Sequence, residues 1–257
     1  MASPTFSVRA LVLRKTKLGE SDLILTLLAE DGSQIRCVAK GARKPTSQFA
    51  SRLELYAEVD LLCARGRSLD IVKEARLRTG HDALRTSFEG AAGAACMAEL
   101  LERVTDQGLS APRLFEATHV ALGALEVASD DARELVVAAH LLKTLAFAGL
   151  RPSLSACALC GTPLDVRAQR GSTVRFSFVD GGMVCPACAR HAQTLLIDAD
   201  VLAWAQALLA STFDEILTYR APASVGASLL KFCQQWTRVH VGASLKSIEF
   251  LLTTSFS

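Results

Sequence analysis

At 257 residues, half of them hydrophobic, the chain has enough apolar content for one large domain or two or three small ones, which excludes a disordered or low-complexity protein. A formal net charge of +2 would also argue against a general polyanion binder if the charge were evenly spread. It is not: residues 1–80 hold 14 Lys+Arg against 9 Asp+Glu, a net of +5, and the remainder holds 14 against 17, a net of −3.

The N-terminal stretch to Phe6 has neither a charged n-region nor an apolar core, so no signal peptide is expected and a reducing cytoplasm is. The pattern then alternates with period 2. Phe6, Val8, Ala10 and Val12 are interleaved with Ser7, Arg9, Leu11 and Leu13; runs follow at 24–28 and 35–39, joined by a turn at Glu30-Asp31-Gly32-Ser33. Leu53, Leu55, Ala57, Val59 and Leu61 alternate with Glu54, Tyr56, Glu58 and Asp60, and Arg65-Gly66-Arg67 turns the chain into 69–72. About five short strands in about 80 residues are most economically closed into a small barrel of the OB type, with an SH3-like barrel as the rival, because closure removes exposed edges.

Beyond Arg85 the period becomes helical. Residues 88–106 form an Ala-rich helix ending near Gly108, and Ser110-Ala-Pro112 opens another, with proline where a missing N–H costs least. Asp130 and Asp131 start a third, whose apolar positions Leu135, Ala138, Ala139, Leu142, Leu145 and Ala146 recur at helical spacing until Gly149. This most apolar stretch, interrupted by His140 and Lys143, falls short of the roughly 20 residues that span a bilayer, so no membrane span is expected. Further helices are expected after Asp198 and over 224–241; Trp204 and Trp236 lie on their apolar faces, where packing is the simpler role than base stacking.

Between these helices stand Cys157-Ala-Leu-Cys160 and Cys185-Pro-Ala-Cys188. Each C-x2-C lets one turn aim two thiolates at a point, and two of them fill the four-sulfur tetrahedron of a structural Zn²⁺. A closed shell of this kind stabilises a fold and leaves no position for catalytic water. A strand at 174–179 and a turn at Asp180-Gly181-Gly182 would complete a zinc ribbon. A disulfide pair, a redox dithiol, and His191 replacing Cys188 are the alternatives. Cys37, Cys63, Cys96 and Cys233 occur singly, as small buried side chains do.

Phosphate-cradling, dinucleotide, nucleophile-elbow and zinc-protease motifs are absent, the five histidines are dispersed, and His140 reads as a core residue, so no enzyme activity is expected. The remaining signal is cationic: Arg14, Lys15 and Lys17 end the first strand, Lys40, Arg43 and Lys44 follow the third, and Arg65 and Arg67 sit at a hairpin. Singly these are ordinary solvated charges; together on one barrel they suggest a groove for a phosphate backbone, with Gly41 allowing close approach of the main chain. Phe6, Phe49 and Tyr56 are the few aromatics offered for stacking, so binding would be weak, charge-dominated and sequence-tolerant.

Taken together, Ala10-Leu-Val-Leu13 leading to Gly19-Glu20-Ser21-Asp22, then Val38 to Lys44, the helical region, the two knuckles and Leu245-Lys-Ser-Ile-Glu-Phe250 resemble the RecO family of bacterial recombination mediators over nearly the whole chain. The resemblance implies an α+β multidomain protein. An OB-type β-barrel (1–80) is followed by an α-helical domain (81–257) with an inserted four-cysteine zinc ribbon (152–192). It also implies a non-enzymatic, nucleoid-associated protein that binds and anneals single- and double-stranded DNA, acts with RecR, and engages single-stranded-DNA-binding protein so that RecA can be loaded. Its DNA-binding residues would be Lys40, Arg43 and Lys44, then Arg14, Lys15 and Lys17. Lys246 would belong to a partner or DNA surface or cap a helix end. The alternative is a protein-only adaptor built on the ribbon and a helical face.

Overall fold

The computed structural model describes residues 4–49 and 51–254. Five strands, β1 (Thr5–Leu18), β2 (Asp22–Ala29), β3 (Gln34–Ala39), β4 (Glu58–Ala64) and β5 (Asp70–Thr79), close into a barrel in the order β1-β2-β3-β5-β4. All pairings are antiparallel except β3 with β5, which is the strand order of an OB barrel. The alternating apolar positions point inward: Ala10, Val12, Leu23, Leu25, Leu27, Val59, Leu61 and Val72 form one buried core. Cys37 and Cys63 lie in it, and Cys96 and Cys233 are buried elsewhere.

Two strands depart from the sequence expectation. The alternation from Leu53 does not become strand until Glu58, because Tyr56 takes a left-handed backbone (φ 68°) that an extended run cannot accommodate. Leu53 instead donates its N–H to Phe49 O at 3.2 Å, closing a turn that still buries both side chains in the barrel core. Tyr56 N–H and Ala57 O bind Val12 across the β1 bulge, at 2.8 and 3.0 Å. Strand β5, expected to end at Val72, runs on to Thr79. Its outer face there is charged, with Lys73, Glu74, Arg76 and Arg78 exposed, so hydropathy alone does not mark it.

The change of period near residue 80 marks the end of the barrel. Helices α1 (Asp82–Thr86), α2 (Phe88–Val104) and α3 (Pro112–Val127) follow the barrel, and the two compact units part after Glu126. Ser87 caps α2 by accepting the Gly90 N–H at 3.1 Å, and Pro112 opens α3 as read from the sequence. Gln34 of β3 donates to Glu102 O and Thr105 O, both at 3.3 Å, fastening the end of α2 to the barrel wall.

In the second unit α4 (Asp130–Phe147) is the central element. Residues 135–142 are all buried, including His140 at 0% exposure. Gly149 (φ 80°) ends it, with the Leu150 N–H returning to Leu145 O at 2.8 Å. A small sheet of β6 (Thr173–Ser177), β7 (Gly182–Met183) and β8 (Leu195–Asp198), ordered β7-β6-β8, joins two strands within the 152–192 segment to a third just beyond it. Helices α5 (Ala199–Ala210), α6 (Phe213–Leu217), α7 (Ala223–His240) and α8 (Lys246–Thr254) complete the unit, with Asp198 capping α5 through the Asp200 N–H at 2.8 Å. Both tryptophans pack: Trp236 is 1% exposed, stacks on Phe232 and donates its indole N–H to Leu150 O at 2.8 Å, while Trp204 meets Tyr219 edge-on. No helix among the described residues is long and apolar enough to cross a membrane.

Candidate metal centre and nucleic-acid interface

The two knuckles converge. The Sγ atoms of Cys157, Cys160, Cys185 and Cys188 all lie within 4.8 Å of one another, and those of Cys160 and Cys185 are 3.7 Å apart. Four sulfurs each about 2.3 Å from a central ion stand about 3.8 Å from their neighbours, so the spacing fits a tetrahedral thiolate site and is far too long for a disulfide. His191 is exposed and stands outside the group, which removes it as a substitute for Cys188.

Local backbone geometry builds the site. Cys157 accepts the Cys185 N–H at 3.4 Å, and Gly161, with φ 74°, lets its own N–H turn back to Cys157 O at 2.9 Å. The Cys185 N–H pulls the Cys157 thiol down to about 6, and the Thr162 hydroxyl lowers that of Cys160. Cys188 goes the other way, up to about 12, chiefly through its hydrogen bond to Cys160. A divalent cation would take the place of that proton, and Zn²⁺ suits an all-sulfur set. Ser153 ties the lobe together, its N–H on Gly181 O at 2.9 Å and its carbonyl receiving the Met183 N–H at 3.0 Å.

The cationic residues do not form one cluster. Pairing of Leu18 with Asp22 and of Leu23 with Ala39 places Lys17 and the 40–44 loop at one end of the barrel. Pairing of Thr5 with Ala64, and the Arg65 N–H on Pro4 O at 2.9 Å, places Arg65 and Arg67 at the other. Of the first group, Arg14 is paired with Glu102 at 2.8 Å and Lys15 with Glu54 at 2.7 Å. Arg43 acts as a strut, donating to Gly19 O and Glu20 O at 3.1 and 2.9 Å. Lys17, Lys40 and Lys44 are exposed and have no ion-pair partner among the described residues. At the far end Arg65 pairs with Asp70 at 3.0 Å and lies 3.9 Å above the Phe6 ring, whereas Arg67 is exposed.

Asp22 organises the loop, a role its sequence does not advertise. Its Oδ1 accepts the Gly41 N–H at 2.8 Å and the Ser21 hydroxyl at 2.9 Å, and the first of these bonds depresses its carboxyl below the usual range. Gly41 is therefore glycine for its left-handed turn (φ 67°), and its N–H is already engaged rather than offered to a ligand. The proposed stacking aromatics are also committed: Phe49 and Tyr56 are 6% and 7% exposed, and Phe6 lies under Arg65. Lys246 is the first residue of α8.

An OB-ordered barrel with cations at both ends, joined in one chain to a helical unit carrying a four-thiolate knuckle, defines a class of barrel-and-ribbon proteins. Residues 1–81 match the family model for the N-terminal region of recombination protein O, and residues 85–249 match that for its C-terminal region. The chain belongs to the recombination protein O family. A relative from Bifidobacterium adolescentis, named DNA repair protein RecO, is 29% identical over 251 residues, covering 96% of this chain and 99% of its own.

Proposed function

We propose that this protein serves DNA repair as a non-enzymatic mediator that binds and anneals DNA. The full-length match to a relative named for DNA repair supports the repair role. The observation that carries the binding step is the group of Lys17, Lys40 and Lys44, exposed and outside every ion pair among the described residues at one barrel end, Lys17 at the end of β1 and Lys40 and Lys44 on a loop held in shape by Asp22 and Arg43. A preformed loop presenting ammonium groups binds phosphates without an ordering cost, through charge and counterion release rather than base contacts.

In this reading the barrel neutralises the phosphates of single strands so that complementary strands can meet, and zinc in the Cys157/Cys160/Cys185/Cys188 site keeps the ribbon lobe folded. Contacts with RecR and single-stranded-DNA-binding protein, leading to RecA loading, would fall to the helical unit. Fluorescence anisotropy with a short labelled single strand over a salt series tests the binding step. Binding that weakens steeply with salt is expected. A folded, zinc-loaded protein that binds no oligonucleotide at low salt would leave the adaptor reading, in which only proteins are bound.

A further inference from the structure

The outer wall of the barrel is not uniformly covered. Leu11 and Leu28 alternate out of the barrel core yet are 0% exposed, and the end of α2 is fastened to β3 through Gln34. The outer face of β2 and β3, where OB barrels commonly hold oligonucleotides, is thus partly taken by the chain itself. The outer face of β1, β4 and β5 is open beyond the covered Leu11 and Glu58 row and forms there a trough of about 960 Å³. Register places Arg9, Asp60 and Arg76 side by side across the three strands, with Ser7, Leu62 and Glu74 in the next row.

The trough is lined by Arg9, Arg52, Lys73, Arg76 and Arg78 against Glu30, Asp60 and Glu74, and with Glu58 buried behind Arg9 the five cations meet four carboxylates, a net of +1. Two carboxylates serve to aim the arginines. Glu58, 2% exposed, takes the Arg9 Nε at 2.6 Å, and Asp60 takes the Arg78 Nε at 2.7 Å. Each grips the inner nitrogen and leaves the terminal guanidinium nitrogens without a hydrogen-bond partner among the described residues. Phe115 stacks beneath Arg9, its ring centroid 5.2 Å from the guanidinium, and adds to its fixation. Lys73 and Arg76 are exposed and carry no ion pair among the described residues. Glu74 lies beside them and Asp60 across from Arg76, but Asp60 is already engaged by Arg78 at 2.7 Å.

We propose that this face is a second phosphate-backbone site for single-stranded nucleic acid, centred on Lys73 and Arg76 and separate from the Lys17/Lys40/Lys44 end. The inference rests on the DNA-binding reading above and adds to it a reason for annealing: one barrel holding two strands raises the local concentration of each for the other. Contact through aimed guanidinium groups with no exposed aromatic beside them makes the site salt-sensitive and indifferent to base sequence.

The test compares the wild type with Lys73→Ala/Arg76→Ala and with Lys40→Ala/Lys44→Ala, titrating a short fluorescent oligothymidylate at low salt. Two oligonucleotides per wild-type chain and one per chain in either double variant are expected. The salt slope summed over all binding steps should fall in the Lys73/Arg76 variant by at least about 1.4, from two lost contacts of ~0.7 each. Lys73→Arg/Arg76→Lys, which keeps both charges, should restore the second oligonucleotide. Both side chains are exposed and outside every ion pair among the described residues, so an unchanged melting temperature is expected and separates binding from folding. Wild-type stoichiometry and slope in Lys73→Ala/Arg76→Ala, with weakened binding in Lys40→Ala/Lys44→Ala, would overturn this inference alone. No oligonucleotide binding by the wild type would overturn the DNA-binding reading as well.

Discussion

Removing the three unpaired lysines at one barrel end, as Lys17→Ala/Lys40→Ala/Lys44→Ala, should weaken single-strand binding and flatten its dependence on salt. Each phosphate contact contributes about 0.7 to the slope of log K against log salt on single strands, so three contacts amount to about 2.1. Between 50 and 200 mM salt, a range of about 0.6 log units, that is roughly a 20-fold difference in how much affinity salt removes. The matched control is Arg14→Ala/Lys15→Ala, which deletes the same kind of charge from residues already paired with Glu102 and Glu54 and should move the slope far less. Anisotropy titrations of the two variants and the wild type at four salt concentrations measure all of this. Equal slopes in the triple variant and the wild type, or a larger effect from Arg14 and Lys15, would refute the assignment made from ion pairing.

Three further outcomes are expected. Cys157→Ser should lose bound zinc, measured by metal analysis, and melt earlier, because the metal closes the lobe built on Cys157, Val184 and Cys185; full stability without metal would contradict a structural site. Trp236→Ala should cost about 3–5 kcal/mol in denaturant unfolding, since it removes a side chain 1% exposed and packed on Phe176 and Phe232; a loss below about 1 kcal/mol would show that the aromatic cluster is not a core. His140, fully buried, is held down to about 3 by desolvation. The unfolded chain, with an ordinary value near ~6.5, therefore binds a proton that the folded one refuses between those limits, and stability rises with pH across that window. Acidification below about pH 6.5 should cost up to ~1.4 kcal/mol per pH unit from this residue, and His140→Leu should remove that share; parallel stability curves between pH 5 and 6.5 would disprove it.

The parts of the fold legible in the sequence are those where one physical demand acts alone. Period-2 alternation at 6–12 reports the inward face of β1, and the paired C-x2-C spacing reports four thiols that do converge within 4.8 Å of one another. The alternation at 53–57 misleads, because Phe49 and Leu53 are buried by a turn around a left-handed Tyr56 rather than by a strand. Such a conformation is fixed by its contacts with Val12 and is not written in local propensity. The far half of β5 is hidden for the opposite reason, its outer face being charged. The cationic residues are visible one by one, but their grouping depends on register: only pairing shows that Lys40 and Arg65 sit at opposite ends, and only side-chain geometry shows that Arg14, Lys15 and Arg43 are engaged within the protein. The period-2 spacing of Glu74, Arg76 and Arg78 is the available signal for the outer trough.

The central claim, a barrel that brings DNA strands together by neutralising their phosphates, is tested most directly by annealing of complementary single strands precoated with single-stranded-DNA-binding protein. The rate should be followed with and without this protein across a salt series. The account predicts acceleration that fades as salt rises and is reduced in Lys17→Ala/Lys40→Ala/Lys44→Ala. No acceleration by folded, zinc-loaded protein, or acceleration indifferent both to salt and to those three lysines, would contradict it.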